Sequence, residues 1–574
     1  MKDWTKIAEE LGLTPVSPTP NERQMEWYRR KKTAFFHFGM NTFTGVEWED
    51  GTADPALFAP SRLDCRQWVR AVKEAGFGAA ILTAKHHDGF CLWQSAYTEY
   101  SVKHSPYKNG CGDVVREFTD ACREYGIKAG IYLSPWDRHE PTWGSDAYND
   151  FYVNQLTELL TGYGPIYEVW WDGAGSTEAH YDWERWADTV RTLQPQAVIF
   201  GSLGAAPYVD VRWVGNERGI AGKPCFATVE LSSIEKEISA ELNRGKEDGA
   251  FFLPAEADVS IRPGWFYHAE QDAEVRSVAN LTELWFCSAG RNAGLLLNLP
   301  PDRRGLLCDR DVRTLTEWNR SLGEMFRENL ALSAQVSADS VRAQACSPEK
   351  ILCKEGEGFY APEDCRQTPE LVFSFDREIE CNAVTLSEVM ELGHRVFGFA
   401  LFARVGGEWK QLCENHCVGY LCVERFDTVK TDAIKLCITQ AKGAPLLHSF
   451  GLFKLPKLQG DDLYKLYLGK NLLSSRSARI ERKGNTLDIH LGGIRPFNLL
   501  KLNAAGIEKY EVELFNGTDF EAPQVRMHGG DSSVEHRFDC MIDWAYRLRV
   551  RLLEGVCTDA CCCEAELYYD MEEK

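Results

Sequence analysis

Lys73-Glu74-Ala75-Gly76-Phe77 and Arg123-Glu124-Tyr125-Gly126-Ile127 have the same form. Each ends an amphipathic helix, stops it with a glycine able to adopt the left-handed conformation, and runs directly into a buried strand. Outward from these two joints, helical periodicity covers Cys65 to Ala75, Asp113 to Tyr125, Asn149 to Thr161 and Tyr181 to Leu193. Short β-rich runs alternate with them at Ala34-Phe38, Ala79-Ala84, Lys128-Ser134, Ile166-Trp171, Ala197-Gly201, Val211-Val214, Phe226-Val229 and Gly294-Asn298. Eight such units spread over ~300 residues have the rhythm of a (β/α)8 barrel. The alternative is a doubly wound open sheet. No GxGxxG follows the first strand, and polar residues follow nearly every strand end, which favours the barrel.

A chain of 574 residues exceeds one ordinary core. Fourteen of its 17 tryptophans fall in the first 300 residues, so the two halves differ in kind. Beyond Ser333 the texture turns to strands and turns. Ala383-Leu386, Val396-Phe402 and Glu408-Trp409 are echoed by Leu499-Leu502, Tyr510-Phe515 and Asp519-Phe520-Glu521. Later strand pairs close each copy, near Ala433-Thr439 with Ser449-Phe453 and near Arg547-Leu552 with Glu564-Tyr569. The expected layout is a barrel over 1–335 and two β-sandwiches over 336–457 and 463–574, joined around Leu455-Asp462.

A net charge of -21 argues against nucleic acid or an anionic membrane as partner. The N-terminus lacks an apolar signal segment, and no run approaches 18 apolar residues. With 20 scattered cysteines, this predicts a cytoplasmic, reduced protein. Neither Cys561-Cys562-Cys563 nor Cys413, Cys417 and Cys422 has paired metal-ligand spacing, so no metal or other cofactor is expected.

Barrel strand ends carry the chemistry. His37 ends the first strand, His86 and His87 follow the second, Tyr132 lies in the third, Asp172 closes the fourth in Trp170-Trp171-Asp172-Gly173, and Glu217 follows the sixth. Metal hydrolysis by His37, His86 and Asp88 or Asp172 is one reading. Adjacent histidines point to opposite sides of a strand, however, and make a poor chelating pair. Plain core histidines are another. The third is a metal-free glycosidase, with imidazoles and Tyr132 on sugar hydroxyls, indoles on the apolar ring face and two carboxylates doing the chemistry. Asp172 and Glu217 are candidates for that pair. Glu47, Glu230 and Glu256 compete for the second place.

Phe36-His37-Phe38-Gly39, His86-His87-Asp88-Gly89-Phe90-Cys91-Leu92-Trp93, Gly130-Ile131-Tyr132-Leu133-Ser134-Pro135-Trp136, Glu168-Val169-Trp170-Trp171-Asp172-Gly173 and Asn292-Ala293-Gly294-Leu295-Leu296-Leu297-Asn298-Leu299-Pro300-Pro301 together resemble the α-L-fucosidases of glycoside hydrolase family 29. Val211-Glu217, Leu253-Glu256 and Arg262-Phe266 look like its α-1,3/1,4-fucosidase branch. The first sandwich is similar to discoidin-like modules. The resemblance implies a retaining exo-α-L-fucosidase acting on fucosylated oligosaccharides, with Asp172 as nucleophile and Glu217 as acid/base. It implies substrate contacts from His37, Glu47, Trp48, His86, His87, Tyr132, Trp170, Glu256 and Trp265. Glu256 is the alternative proton donor. Broad or α-1,2 preference, and a non-catalytic glycan-binding role, are the alternative functions. For the sandwiches, packing support and carbohydrate binding are both open, and Trp409 and Trp544 are expected in their cores. Oligomeric state is not readable.

Overall fold

In a computed structural model, the structure describes residues 4–569 apart from 175–179, 202, 236–239, 353–357, 457–466, 468, 476–477, 494, 504–506, 516–524, 531–534, 543–544, 546 and 556–562. Eight parallel strands close into a barrel: β1 (Lys32–Phe36), β2 (Ala79–Lys85), β3 (Lys128–Leu133), β4 (Glu168–Trp170), β5 (Val198–Gly201), β6 (Val211–Trp213), β7 (Ala255–Ser260) and β8 (Gly294–Asn298). Each pairs with its neighbours in chain order, and β8 closes on β1 with Phe35 opposite Asn298. Helices Cys65–Glu74, Val114–Tyr125, Asp146–Gly162, Trp183–Leu193, Val278–Cys287 and Asp309–Met325 cover the outside. Among the described residues the β5–β6 crossover holds only a 3-10 turn, Leu203–Tyr208.

The expected strand at Phe226-Val229 is a correction. Thr228–Val229 pairs with Phe251–Phe252 in a small antiparallel hairpin outside the barrel, and the seventh barrel strand is Ala255–Ser260. Its sequence, AEADVS, hides the strand because three of its six buried residues are polar. The parity explains it. Ala255, Ala257 and Val259 pack outward, while Glu256, Asp258 and Ser260 bond to side chains within the barrel.

The same parity sorts the barrel's aromatic residues. Phe35, Tyr132, Trp170, Phe200 and Trp213 fill the interior, and Phe36, Ile131, Val169 and Trp171 pack beneath the helices. At the foot of the barrel sits helix Glu22–Tyr28, entered through a reciprocal Asn21–Gln24 capping box that sets Trp27 and Tyr28 beneath the strands.

Two antiparallel β-domains follow. The first is a six-stranded sheet whose long strands, Glu370–Glu388 and Cys422–Ala441, pair along their length through two register shifts that bend them. The second faces a five-stranded sheet with a three-stranded one around Leu487, Leu500, Val512, Val550 and Leu567. The first domain docks near the foot of β8, where Asn292 bonds to the backbone of Tyr420 and Leu421 and Tyr28 stacks on Tyr420. Trp409, expected in a core, is 38% exposed instead, because its strand Glu408–Asn415 lies at the sheet edge. The junction from residue 457 on, Asp519-Phe520-Glu521, Cys561, Cys562 and Trp544 lie outside the described residues. No helix among the described residues is long and apolar enough to cross a membrane.

Candidate active site

Asp172 stands two residues past the end of β4. Trp170 points into the barrel and Trp171 out to the helices, so Asp172 comes to the mouth. Its Oδ1 accepts the Ala174 backbone N–H at 2.9 Å and its Oδ2 accepts the Tyr132 hydroxyl at 3.1 Å. His87 Nε2 lies 3.8 Å from Oδ2. The carboxylate is thus fixed through both oxygens, and its side chain stays 28% exposed to whatever enters the mouth.

Three imidazoles line the same mouth with their rings in contact, His37 against His86 at 5.6 Å and His86 against His87 at 4.1 Å. Their protonation follows from their partners. Asn298 Nδ2 donates to the Trp265 carbonyl at 2.7 Å, so Asn298 Oδ1 is the acceptor facing His37 Nδ1 at 2.9 Å. His37 therefore carries its proton on Nδ1 and offers a lone pair on Nε2. Ser134 donates its hydroxyl proton to the Trp136 carbonyl at 2.6 Å, so it accepts from His87 Nδ1 at 2.7 Å, and His87 has the same tautomer. Burial pushes all three down: His37 to about 3, His87 to about 4 against the opposing pull of Asp172, and His86 well below its ordinary value. At neutral pH they are uncharged groups, suited to hydroxyls rather than anions.

The other half of the mouth is the segment after β7. Trp265 packs beside His37 at 5.0 Å, half-buried, and its Nε1 donates to Glu217 Oε2 at 3.3 Å. Glu217 sits four residues past β6 on a loop anchored by Gly219 N–H bonding the Asp258 carbonyl at 3.0 Å. Trp48 completes the rim, edge-on to His87 and Trp136.

Three expected substrate contacts are engaged by protein partners. Glu256 is 1% exposed at the foot of β7, opposite Gly294, four residues or roughly 13 Å below the mouth. Its two oxygens accept the indoles of Trp170 at 3.0 Å and Trp27 at 3.1 Å, and burial raises its carboxyl to about 7 against those bonds. That position removes it as a proton donor to a leaving group. Trp170 stacks on Phe200 at 4.0 Å inside the barrel and supports the floor, and Trp171 packs against Trp183 and Trp186. The two indoles beside Asp172 therefore present no sugar platform. Glu47 spends both oxygens on the Trp265 segment, accepting Trp265 N–H at 3.0 Å, Phe266 N–H at 3.3 Å and the His268 ring at 2.6 Å. Burial would lower the His268 imidazole, but the bond and charge of Glu47 outweigh it and raise it. Glu230 lies on the β6–β7 excursion, its N–H bonded to Glu241.

Ser134 and Asn298, outside the expected set, fix the tautomers of His87 and His37. Their signal was available only as polar residues at strand ends. Among the described residues, no three His, Cys, Asp or Glu side chains are grouped to hold a metal.

A parallel barrel whose mouth gathers neutral imidazoles, a tyrosine, an indole and carboxylates on separate strands has the layout of a glycoside hydrolase. Residues 15–324 match the α-L-fucosidase family. α-L-Fucosidase 1 of Arabidopsis thaliana is 40% identical over 454 residues, 76% of this chain and 88% of that protein. A family 29 fucosidase of Ruminococcus gnavus, solved in complex with fucose, is 32% identical with a TM-score of 0.73 over 78% of this chain and 96% of its own. A family 29 glycoside hydrolase from a rumen bacterium is 31% identical with a TM-score of 0.69, over 97% of this chain and all of its own. The chain belongs to the α-L-fucosidase family, glycoside hydrolase family 29. It is an enzyme of the α-L-fucosidase class.

Proposed function

We propose that this enzyme is a retaining exo-α-L-fucosidase that removes α-1,3- or α-1,4-linked terminal fucose from branched, Lewis-type glycans. The observation that carries the chemistry is the placement of Asp172, held by Tyr132 and Ala174 at a mouth ringed by neutral imidazoles. Asp172 attacks the anomeric carbon as Glu217 protonates the departing glycosidic oxygen, giving a covalent fucosyl-enzyme. Water then opens that ester while Glu217 takes its proton, and fucose leaves with its configuration retained. His37 and His87 accept fucose hydroxyl protons through Nε2, and Trp265 offers an apolar face to the ring and its methyl. The 20 cysteines favour a cytoplasmic site of action.

The test is fucose release from a Lewis-type trisaccharide and from a 2′-fucosylated one, followed by NMR for the first anomer formed. Release from the first alone, as the α-anomer and lost in Asp172→Ala, is expected. Release from both retires the linkage preference. First appearance of the β-anomer removes the covalent route, and no release by folded enzyme returns the protein to glycan binding.

A further inference from the structure

A cleft of about 190 Å³ opens beside Glu217 and is closed on its far side by the second β-domain. Barrel segments supply Glu217, Arg218, Glu274 and Arg276, and the β-domain supplies Tyr467 and Pro496. We propose that this cleft receives the leaving-group sugar, and that Tyr467 and Pro496 are specificity-determining residues contributed by the second β-domain. The inference rests on the reading of Glu217 as the group that protonates the glycosidic oxygen. A residue with that task touches the fucose site on one side and the first leaving-group residue on the other. Glu217 does border both, through Trp265 toward the mouth and as a wall of the cleft.

The docking of the two parts is specific. Arg495, 1% exposed, donates through Nε and Nη2 to the two oxygens of Glu274 at 3.1 and 3.3 Å. Gln271, fully buried, donates to the Gly492 carbonyl at 3.1 Å and accepts the Gly264 N–H at 3.1 Å, so one side chain ties the β-domain to the residue before Trp265. Gly493 has φ +140° and lies so close that a Cβ there would stand 2.5 Å from the Pro263 backbone. A close, bonded seam of this kind holds a wall in register with the mouth.

The lining selects the ligand class. Three arginines (Arg218, Arg262, Arg276) balance three glutamates (Glu217, Glu274, Glu283), so the cleft carries no net charge. Ile220, Leu284, Tyr467 and the two prolines give it apolar walls. A neutral pyranose, with an apolar C–H face and a rim of hydroxyls, matches that mixture, and the volume suits one sugar residue. An acidic or cationic leaving group does not.

The test compares kcat/KM for a fucosylated trisaccharide with that for an aryl α-L-fucoside, whose leaving group has no sugar to place, in wild type, Tyr467→Ala and Pro496→Trp. The trisaccharide-to-aryl ratio is expected to fall roughly tenfold in both variants, equivalent to the loss of one set of sugar contacts. An unchanged ratio overturns the proposal, whether both activities hold or both fall together, since equal loss means the residues only support the fold. Wild-type turnover of the aryl fucoside is the separate check on the fucosidase reading, so its failure is distinguishable from a failure of the cleft assignment.

Discussion

The Trp265 indole donates to Glu217 from a segment whose backbone Glu47 holds from the opposite side. Glu47, Trp265 and Glu217 come from three different barrel loops, and together they make one unit: a clamp, a platform and a carboxylate. Trp265→Phe keeps the ring face and removes the donor, so Glu217 loses this bond while fucose packing survives. We expect kcat to fall roughly tenfold with little change in KM, about the 1.4 kcal/mol of one hydrogen bond. Steady-state kinetics on an aryl fucoside separate this from Trp265→Ala, which should raise KM as well.

Glu47→Gln tests the clamp. The amide cannot accept from two backbone N–H groups and His268 as a carboxylate does, so the 264–268 segment loosens. Activity should fall by roughly tenfold or more, with earlier protease cleavage in that segment. Equal protease resistance in variant and wild type would return Glu47 to a direct sugar contact.

Ser134→Ala removes the acceptor that keeps the His87 proton on Nδ1. The ring is then free to carry it on Nε2 and turn its donor toward Asp172, 3.8 Å away. The lone pair proposed to receive a fucose hydroxyl is lost in that tautomer. A rise in the inhibition constant for free fucose of roughly tenfold is expected, with the fold unchanged by circular dichroism.

Much of the barrel was legible because its outward-facing residues are apolar and its helices end in readable glycine stops, as at Gly126 with φ +69°. The strand that was missed, Ala255–Ser260, failed for a physical reason: its inward residues are polar and satisfied by indoles and Asn298, so no hydrophobic run marks it. The site was legible as a set of strand-end polar residues. Which of them face the mouth depends on strand parity and register, and Glu256 and Trp170 show how far those move a residue of the right chemistry from where its sequence neighbourhood suggests. The role of the second β-domain could not be read at all, because contacts such as Arg495 with Glu274 join residues 221 apart.

Acid should destabilise the enzyme through its mouth. His37, His86 and His87 are held below the 6.5 of the unfolded chain, so the unfolded state takes up protons first as pH falls. Stability they support at neutral pH is lost progressively below 6.5, by roughly 1.4 kcal/mol per imidazole one pH unit lower. Raised carboxyls act in the opposite direction over part of that range, so the readout is a difference. Urea midpoints of wild type and His86→Gln should converge between pH 7 and pH 5, and parallel curves would show that His86 is not held neutral.

Glu168 makes the opposite case at the foot of the barrel. It is fully buried at the start of β4, neither of its oxygens has a hydrogen-bond partner, and burial, reinforced by the charges of Glu256 and Asp210, raises its carboxyl well above the ordinary value. A raised folded value means that the unfolded state releases its proton first as pH climbs above about 4.5, so its titration costs stability that grows toward neutrality and vanishes in acid. Replacing it by an apolar side chain of similar length removes both the unsatisfied oxygens and the titration. Glu168→Met is expected to raise Tm at pH 7.5 by several degrees, with a smaller gain at pH 4, where only the unsatisfied oxygens still count. Aryl fucoside turnover should stay within a factor of two, since Glu168 lies beneath the Trp170 layer and touches nothing at the mouth. A gain that is the same at both pH values would mean that packing alone, and not a buried proton, is what Glu168 costs the fold.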